Sequence, residues 1–365
     1  MKKSKRVLLH NHYLDVMGGG EKHILSICKV LEDNGYSIDV MWDKDLSSQI
    51  KNNLHIQLKT LRFVPKVLGH HDIVFKKLWF LKDYNILLYV TDGGYFFSSA
   101  KKNFIFSMYP KAELYRQTLL NKIKWWNFRF ISNSDFTKKH LQQFGVQSRC
   151  IEPFIDGVFL ENALNTKREK IILTVGRFFK QLHAKRQDLA IKAFQELQQK
   201  SSTFKDYKLV LVGNIKDEGD KKYLEELREN AKASSNIEFK PNASFKDLFE
   251  LYTSAMYYWH FAGFGVDEQT EPEKVEHFGI SPLEAMASGS IPLCYKAGGP
   301  AEVINDGDNG YLFKTNEELF SKMEEVEKNN ELQEKLREQG RAFVQEHYSY
   351  NIFKKKVEQI ILSRT

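Results

Sequence analysis

The first forty residues switch between two apolar spacings, which together predict a strand, a helix and a second strand. The apolar run after Arg6 predicts a strand over Arg6–Leu9, and the glycine-rich segment Met17–Gly20 predicts a loop. A 3.6-residue periodicity then predicts an amphipathic helix over Glu21–Asn34, ended by Gly35. A further apolar run predicts a strand over Ser37–Trp42. This order indicates a βαβ unit.

The same alternation recurs in two series along the chain. Further strands are predicted at Asn85–Val90, Phe104–Ser107 and Phe130–Asn133, then at Ile171–Val175, Lys208–Val212, Ile237–Phe239, Met256–His260 and Ile291–Tyr295. The polar run ENALNTKREK at 161–170 separates the series and predicts a linker. We therefore expect two doubly wound α/β domains, N-terminal over 1–160 and C-terminal over 165–348. The segment 349–365, with a helix predicted at Tyr350–Ser363, is expected to pack back on the N-terminal domain.

Composition narrows the class of protein and of partner. A chain of 365 residues exceeds the usual size of a single core, which also favours two domains. The net charge of +7 suggests an anionic partner such as a phosphate ligand, an acidic lipid surface or nucleic acid. Cys28, Cys150 and Cys294 form no C-x-x-C pair, which argues against a zinc cluster or disulfide framework and for a reducing compartment. No apolar run reaches the roughly 18 residues of a membrane-spanning helix.

Three consecutive glycines, Gly18, Gly19 and Gly20, lie between the first strand and its helix. Free N–H groups and the helix dipole favour an anion at such a position. The segment is not a G-x-G-x-x-G dinucleotide fingerprint, because His23 stands at the third glycine position. A plain tight turn explains one glycine better than three, so we interpret the loop as a ligand-binding loop.

The segment LTVGRFFKQLHAKRQDLAIKAF places cations at the end of a strand. Gly176 and Arg177 follow the strand, and Lys185 and Arg186 precede a helix opened by Asp188. Both types of basic side chain suit a diphosphate. A solvated basic loop is the alternative, but the carboxyl ends of strands are where doubly wound sheets bind ligands. This position favours the diphosphate interpretation.

The segment EHFGISPLEAMASGSIPL contains two glutamates eight residues apart. Ser281 as N-cap, Pro282 at the first helical position and Glu284 three residues after the cap would form a capping box. That interpretation gives Glu284 a purely local role. It leaves Glu276 unexplained.

Two other sequence patterns, the acidic triplets and the segment 62–85, give less specific evidence of function. The triplets at 43–45, 218–220 and 306–308 resemble D-x-D metal motifs, but their repetition favours surface turns, and we predict no metal site.

The segment 62–85 interleaves basic and large apolar side chains. It is interpreted as an ordinary helix with lysines on its wet face, with a membrane surface or an acceptor cleft as alternatives.

Together these motifs resemble glycosyltransferase family 4, a family of retaining enzymes with the GT-B fold. The most specific part is Glu276-x7-Glu284, followed by Gly298-Gly299 and Asn309-Gly310. The segment SNSDFTKKHLQQFG at 132–145 adds support. The GGGE loop and the segment WHFAGFG look most like lipid-linked-oligosaccharide mannosyltransferases and their bacterial relatives. The resemblance implies two Rossmann-like domains facing a central cleft.

The resemblance also implies roles for individual residues. Glu276 would face the anomeric region of the donor sugar, and Glu284 would accept hydrogen bonds from the ribose hydroxyls. The backbone of Phe278, Gly279 and Ile280 would cradle the sugar and the distal phosphate. A further set would complete the donor site: Arg177 and Lys185 on the diphosphate, and Gly18, Gly19 and Gly20 in the first domain. Cations and oriented N–H groups stabilise a departing diphosphate, so no metal and no other cofactor is expected.

One departure from the family concerns the first domain. Many relatives carry a histidine after the strand that here reads FIFSMYP, facing the donor sugar. This chain has Met108 there. His10 and His12, at the end of the first strand, are the candidates to replace it.

The expected function is retaining, metal-independent transfer of a hexose from a nucleoside-diphosphate sugar, with GDP-mannose favoured, to a hydroxyl of a glycan or lipid-linked acceptor. The expected location is the cytoplasm, with peripheral contact at the inner face of a membrane. A non-hydrolysing sugar-nucleotide epimerase of the same fold and a non-catalytic sugar-nucleotide-binding protein remain open. A nucleic-acid-binding protein is disfavoured, because the charge is spread out and no reading motif is present.

Overall fold

The computed structural model describes residues 5–68, 73–161, 167–180 and 184–363, and its first half forms one parallel sheet. The strands are β1 (Lys5–Asn11), β2 (Tyr36–Met41), β3 (Arg62–Val64), β4 (Ile86–Val90), β5 (Lys102–Ser107), β6 (Phe128–Ser132) and β7 (Ser148–Cys150). They lie in the order β3-β2-β1-β4-β5-β6-β7. The central strand β4 is buried along its whole length, as expected of a parallel strand covered on both faces.

Five helices connect these strands in the described part: α1 (Gly19–Asp33), α2 (Ser47–Leu54), α3 (Val74–Leu81), α4 (Leu119–Lys124) and α5 (Asp135–Gln143). Right-handed crossovers put α1 and α2 on one face of the sheet and α3, α4 and α5 on the other. Leu81 at the end of α3 and Leu141 of α5 accordingly belong to one buried cluster, with Trp125, which directly follows α4, packed against it.

The second half forms another parallel sheet. Its strands are β8 (Glu169–Val175), β9 (Lys208–Gly213), β10 (Ile237–Pro241), β11 (Ala255–His260), β12 (Ile291–Tyr295) and β13 (Tyr311–Phe313), in the order β10-β9-β8-β11-β12-β13. The helices described here are α6 (Val158–Glu161), α7 (Gln187–Lys200), α8 (Glu218–Ala231), α9 (Phe245–Ser254), α10 (Ile280–Ala287), α11 (Pro300–Val303), α12 (Asn316–Glu327) and α13 (Asn330–His347). Apolar cores lie on both faces of the sheet. The prediction of two doubly wound α/β sheets is confirmed.

Contacts divide the chain into two compact units. The first comprises Met1–Pro153 and Asn351–Thr365, and the second comprises Phe154–Tyr350. The last helix is α14 (Tyr350–Val357), followed by a π-helical turn at Glu358–Leu362. Within the first unit this C-terminal segment is tied down by hydrogen bonds from Asn34 to Glu358 (3.0 Å) and from Lys102 to the Ile361 carbonyl (3.0 Å).

Several boundaries differ from the prediction. The first helix begins at Gly19 rather than Glu21, and three short strands, β3, β7 and β13, were not predicted. Half of the predicted linker, 162–166, lies outside the described residues, and β8 takes up its last two positions. Among the described helices, none is both long and apolar enough to cross a bilayer.

Candidate functional site

The second unit brings Glu276, Lys185 and His260 together at the carboxyl edge of its sheet. Glu276 lies in the loop between β11 and α10, and its carboxylate forms an ion pair with Lys185. His260 is the last residue of β11, and its Nε2 lies 3.6 Å from a carboxylate oxygen of Glu276. β8 and β11 are adjacent, and the strand order reverses between them. The cluster therefore occupies the topological switch point, where sheets of this kind bind ligands.

His260 is a neutral member of this cluster. Burial, helped by the positive charge of Lys185, lowers the pKa of His260 to about 3, although Glu276 acts in the opposite direction. The charge of Glu276 is therefore balanced by Lys185. His260 lies at the end of a predicted strand, but the sequence motifs give it no role in the site; its position on a central strand was the available signal.

Gly176 makes room for the lysine. A Cβ atom at Gly176 would overlap the Cγ of Lys185, so the lysine stem lies directly across the end of β8. At the neighbouring strand end, a Cβ at Gly213 would overlap the carbonyl oxygen of Gly176. The absence of a side chain at Gly176, beside Arg177, thus leaves the space that the Lys185 stem occupies.

The start of α10 corrects the capping interpretation. Gly279 is the N-cap, with a left-handed φ of 98°, and the helix begins at Ile280. Ser281 is already helical, and its hydroxyl pairs with that of Tyr258 at 2.8 Å. A capping box requires the acid at the third helical position, which Pro282 occupies. The assignment of Ser281 as N-cap with Glu284 as its reciprocal cap is therefore wrong.

Glu284 instead lies one turn into α10 and is held by a buried tyrosine. The Tyr252 hydroxyl donates to a carboxylate oxygen of Glu284 at 2.9 Å. Burial and the nearby charge of Glu284 raise the pKa of Tyr252 well above its usual value, so this hydroxyl remains a donor. Glu284 is itself only half-buried. The Tyr252 hydroxyl thus helps to orient this carboxylate.

Two glycines hold the backbone between Glu276 and α10. The N–H of Gly299 donates to the Glu276 carbonyl at 2.7 Å. A Cβ at Gly298 would overlap that same carbonyl, and a Cβ at Gly299 would overlap the backbone of Phe278. This close approach requires glycine at both positions. Phe278, Gly279 and Ile280 are therefore fixed at the N-terminus of α10.

Arg177 lies in a separate ion cluster at the start of α8. Its Nε lies 2.8 Å from Asp220 and one terminal nitrogen lies 2.9 Å from Asp217, while the guanidinium stacks over Phe179. Asp220 is buried, with 2% of its side chain exposed. The surface-turn interpretation of 218–220 is therefore wrong, although it holds for the exposed acids at 43–45 and 306–308.

The glycine loop of the first unit has local roles. Gly18 is the N-cap of α1, and its N–H donates to the carboxylate of Glu21 at 2.9 Å. A Cβ at Gly20 would come within 2.8 Å of the Met108 sulfur. Gly19 is the first residue of the helix. Packing thus accounts for Gly20 and capping for Gly18, and the loop lies beside the position that departs from the family pattern.

The two candidate histidines of the first unit differ in environment. His10 is buried against Tyr89, and burial together with the neighbouring His12 lowers the pKa of His10 to about 3. His12 is partly exposed and places its Nε2 3.3 Å from the carboxylate of Asp92. Burial opposes ionisation of Asp92, but hydrogen bonds from Tyr89 and from the backbone outweigh it and lower the pKa of Asp92. His12 is therefore the accessible candidate.

The His12–Asp92 pair lies at the switch point of the first sheet, at the carboxyl ends of β1 and β4. In the part of the chain that the structure describes, no group of three or more His, Cys, Asp or Glu side chains is placed to bind a metal ion.

Comparison with known proteins gives a family match over slightly more than half of the chain. Residues 159–343 match the model described as "Glycosyl transferases group 1". The chain is 27% identical over 250 residues to the GDP-Man:Man(3)GlcNAc(2)-PP-Dol alpha-1,2-mannosyltransferase of Dictyostelium discoideum, covering 63% of this chain and 46% of the relative. It is 28% identical over 269 residues to alpha-1,3/1,6-mannosyltransferase alg2 of Schizosaccharomyces pombe, covering 64% and 50%. The chain thus spans about half the length of these relatives.

A solved structure extends the likeness to nearly the whole chain. The Anabaena protein Alr3699/HepE, in complex with UDP-glucose, superposes with a TM-score of 0.68 over 98% of this chain and all of that chain. The sequence identity is 15%, so this likeness concerns the fold alone. The shared architecture is the GT-B fold with its two Rossmann-like sheets.

Proposed function

Because this chain belongs to the group 1 glycosyl transferases, we propose that it moves a hexose from a nucleoside-diphosphate sugar to a hydroxyl of a glycan or lipid-linked acceptor. The observation that carries the proposal is the Lys185–Glu276–His260 cluster at the switch point of the second sheet, with Glu284 one turn into the adjoining helix. These groups supply a cation for phosphate, an acid for the sugar and an acid for ribose hydroxyls.

In the proposed reaction the bond between the anomeric carbon and the diphosphate oxygen breaks, and the acceptor oxygen bonds to that carbon on the same face. The hydroxyl proton of the acceptor passes to the leaving diphosphate. Negative charge then grows on the leaving diphosphate. Lys185 and the N–H groups at the start of α10 stabilise that charge, and Glu276 stabilises the positive charge that develops on the sugar. Arg177 is proposed to add a second cation at the diphosphate. No step requires a metal ion, and the configuration at the anomeric carbon is proposed to be retained.

GDP-mannose is the proposed donor. The two curated relatives are named as mannosyltransferases, and one of those names specifies GDP-Man and a dolichol-linked acceptor. UDP-glucose, which is bound in the Anabaena structure, is the main alternative donor. A lipid-linked acceptor would place the protein in the cytoplasm with peripheral contact at a membrane.

The test is donor turnover by the purified full chain with GDP-mannose, UDP-glucose and other sugar nucleotides, each with and without a lipid-linked glycan acceptor. The proposal expects nucleoside diphosphate release that depends on acceptor, and an α-linked product by NMR. Release of an isomerised donor without acceptor would instead identify an epimerase. Tight nucleotide binding with no turnover of any donor would identify a binding protein.

A further inference from the structure

The outer face of α3 is apolar. Ile73 just before the helix and Val74, Phe75 and Trp79 within it are exposed, Phe75 by 83%. Lys77, by contrast, is turned inward and only 8% exposed. The interpretation of this segment as an ordinary helix with lysines on its wet face holds for Lys76 and Lys82 but not for Lys77, and large apolar side chains share the exposed face.

A second exposed apolar stretch lies at α4, which the sequence analysis did not single out. Leu119, Leu120 and Ile123 of the helix and Trp126 just after it are exposed, Trp126 by 77%. Together with the α3 group, these residues make up eight of the eleven large apolar side chains that are exposed in the described part of the chain. Single exposed apolar residues are ordinary on protein surfaces, whereas such a concentration marks an interaction site.

Both stretches are bonded to the loop at 98–99 on one face of the first sheet. The hydroxyl of Ser99 donates to the Leu78 carbonyl in α3, and the side chain of Asn127, just after α4, donates to the carbonyl of the adjacent Ser98 at 2.9 Å. Phe80 and Trp125 pack against the same buried cluster. We call the exposed apolar groups of the two helices the α3–α4 surface.

The charged side chains within the two stretches are basic, and the exposed acids Asp83, Glu113 and Asp135 lie just outside them. Residues 73–82 contain three lysines and no acid, and residues 114–134 contain Arg116, Lys122, Lys124 and Arg129 and no acid. Lys76, Lys82 and Lys122 are exposed, and Lys82 lies 4.8 Å above the Trp79 ring. Apolar and tryptophan side chains with a surrounding set of cations suit the interface of a bilayer with anionic headgroups.

We propose that the α3–α4 surface docks this protein on an anionic lipid bilayer, with Phe75, Trp79, Leu120 and Trp126 entering the interface and Lys76, Lys82 and Lys122 contacting the headgroups. The inference goes beyond the proposed transfer reaction. It depends on neither the donor nor the acceptor.

The experiment is co-sedimentation of the full chain with phosphatidylcholine vesicles, with and without phosphatidylglycerol. Wild type should bind the anionic vesicles and lose affinity with added salt. The double variants Phe75→Ser/Trp79→Ser and Leu120→Ser/Trp126→Ser should each reduce partitioning by roughly tenfold or more. The control Phe245→Ser removes an exposed aromatic residue of the second unit and should leave binding unchanged.

Charge-reversal variants test the contribution of the lysines to vesicle binding independently of the apolar side chains. Lys76→Glu/Lys122→Glu should abolish the preference for anionic vesicles, while Lys232→Glu/Lys246→Glu, at exposed sites of the second unit, should retain it. Unchanged vesicle binding in all surface variants would overturn the proposal. A different result would also overturn it: wild type that does not bind vesicles but forms a concentration-dependent dimer by sedimentation velocity, with the apolar variants remaining monomeric.

Turnover with a water-soluble acceptor separates this inference from the proposed function. The surface variants should keep wild-type turnover, because none of the substituted residues lies in the donor site. They should keep wild-type thermal stability, because all of the substituted side chains are exposed. A wild type that binds vesicles but turns over no donor would remove the transferase proposal and leave the docking surface intact.

Discussion

At the residue scale, the ion pair between Glu276 and Lys185 can be explained by a structural or by a catalytic role of Glu276. In the structural role, Glu276 only neutralises the charge of Lys185. On the catalytic account its charge is used when positive charge develops on the sugar. Both side chains are less than one-fifth exposed, so loss of either partner affects the other. A substitution that keeps shape and removes charge distinguishes the two accounts.

Glu276→Gln should lower turnover at saturating donor by about tenfold or more, equivalent to about 1.4 kcal/mol of transition-state stabilisation, with little change in nucleotide binding. Steady-state kinetics and calorimetry with the nucleotide measure the two effects. Glu271→Gln is the matched control, because it breaks an exposed pair with Lys274 nearby. Wild-type turnover in Glu276→Gln would defeat the catalytic assignment.

Arg177 should have both a structural and a binding role. Arg177→Ala leaves the buried carboxylate of Asp220 without its cation, so the free energy of unfolding should fall by about 3 kcal/mol, and Asp220→Asn in the same chain should recover part of it. If Arg177 also contacts the diphosphate, the variant should weaken binding of GDP far more than of guanosine. Equal losses for the two ligands, measured by calorimetry, would remove Arg177 from the phosphate site.

His23 should make the fold sensitive to acid. Burial lowers the pKa of His23 to about 3, whereas an unfolded histidine titrates near 6.5. Between these values the unfolded chain binds a proton that the folded chain does not. The contribution of His23 to the free energy of unfolding is therefore fully present above about pH 6.5 and falls by up to about 1.4 kcal/mol per pH unit below it, in addition to the contributions of His10 and His260. Urea unfolding from pH 7.5 to 5 should show a smaller slope for His23→Leu and an unchanged slope for the exposed His347→Leu.

At the scale of elements, α10 connects local folding to the site. Gly279 begins the helix in a conformation that a side chain disfavours, and the Gly298–Gly299 pair fixes the preceding backbone. Glu284 is then presented by the helix and oriented by Tyr252 from α9. The residue that begins α10, Gly279, is therefore distinct from the acid that α10 presents, Glu284.

Glu284→Ala should raise the dissociation constant of the donor, because ribose hydroxyls lose an ionised acceptor worth about 1.5–3 kcal/mol. The measurement is calorimetric titration with the nucleotide and with its 2′,3′-dideoxy analogue, whose binding should change little. Tyr252→Phe, which removes only the orienting bond, should give a smaller loss. An unchanged donor affinity in Glu284→Ala would exclude the ribose contact.

The sequence predicted those elements whose signal is contained within the element itself. Strands such as β4 and β12 are buried along continuous apolar runs, and their bounds were found to within a residue. The three-residue strands β3, β7 and β13 are all edge strands, each paired with one neighbouring strand. No local periodicity could indicate them.

The same distinction holds in the site. Glu276, Lys185 and Glu284 were singled out by their positions in the sequence together with the family resemblance. The pairing of Arg177 with Asp217 and Asp220, and the approach of His260 to Glu276, depend on contacts across about forty and sixteen residues of chain respectively. Such contacts follow from strand order, which composition and periodicity do not specify.

At the scale of the whole molecule, the excess of positive charge is partly neutralised where the donor would bind. The chain carries a net +7, yet Lys185 is paired with Glu276, and Arg177 with two aspartates. A diphosphate would therefore compete with protein carboxylates for these cations. The proposed site thus offers cations that are already positioned by their partners, which lowers the cost of ordering them when the ligand binds.

Metal-independent turnover is the prediction that concerns the whole protein. If Lys185, Arg177 and the start of α10 together stabilise the departing diphosphate, turnover of the preferred donor should be the same in excess EDTA as in magnesium or manganese. Lys185→Met should reduce turnover equally in both buffers, because a metal ion has no assigned place to substitute for the lysine. Initial rates of nucleotide release, with the acceptor held constant, provide the measurement. Loss of activity in EDTA that magnesium or manganese restores would show that the diphosphate is stabilised by a bound cation, and the roles assigned to Lys185 and Arg177 would then have to be withdrawn.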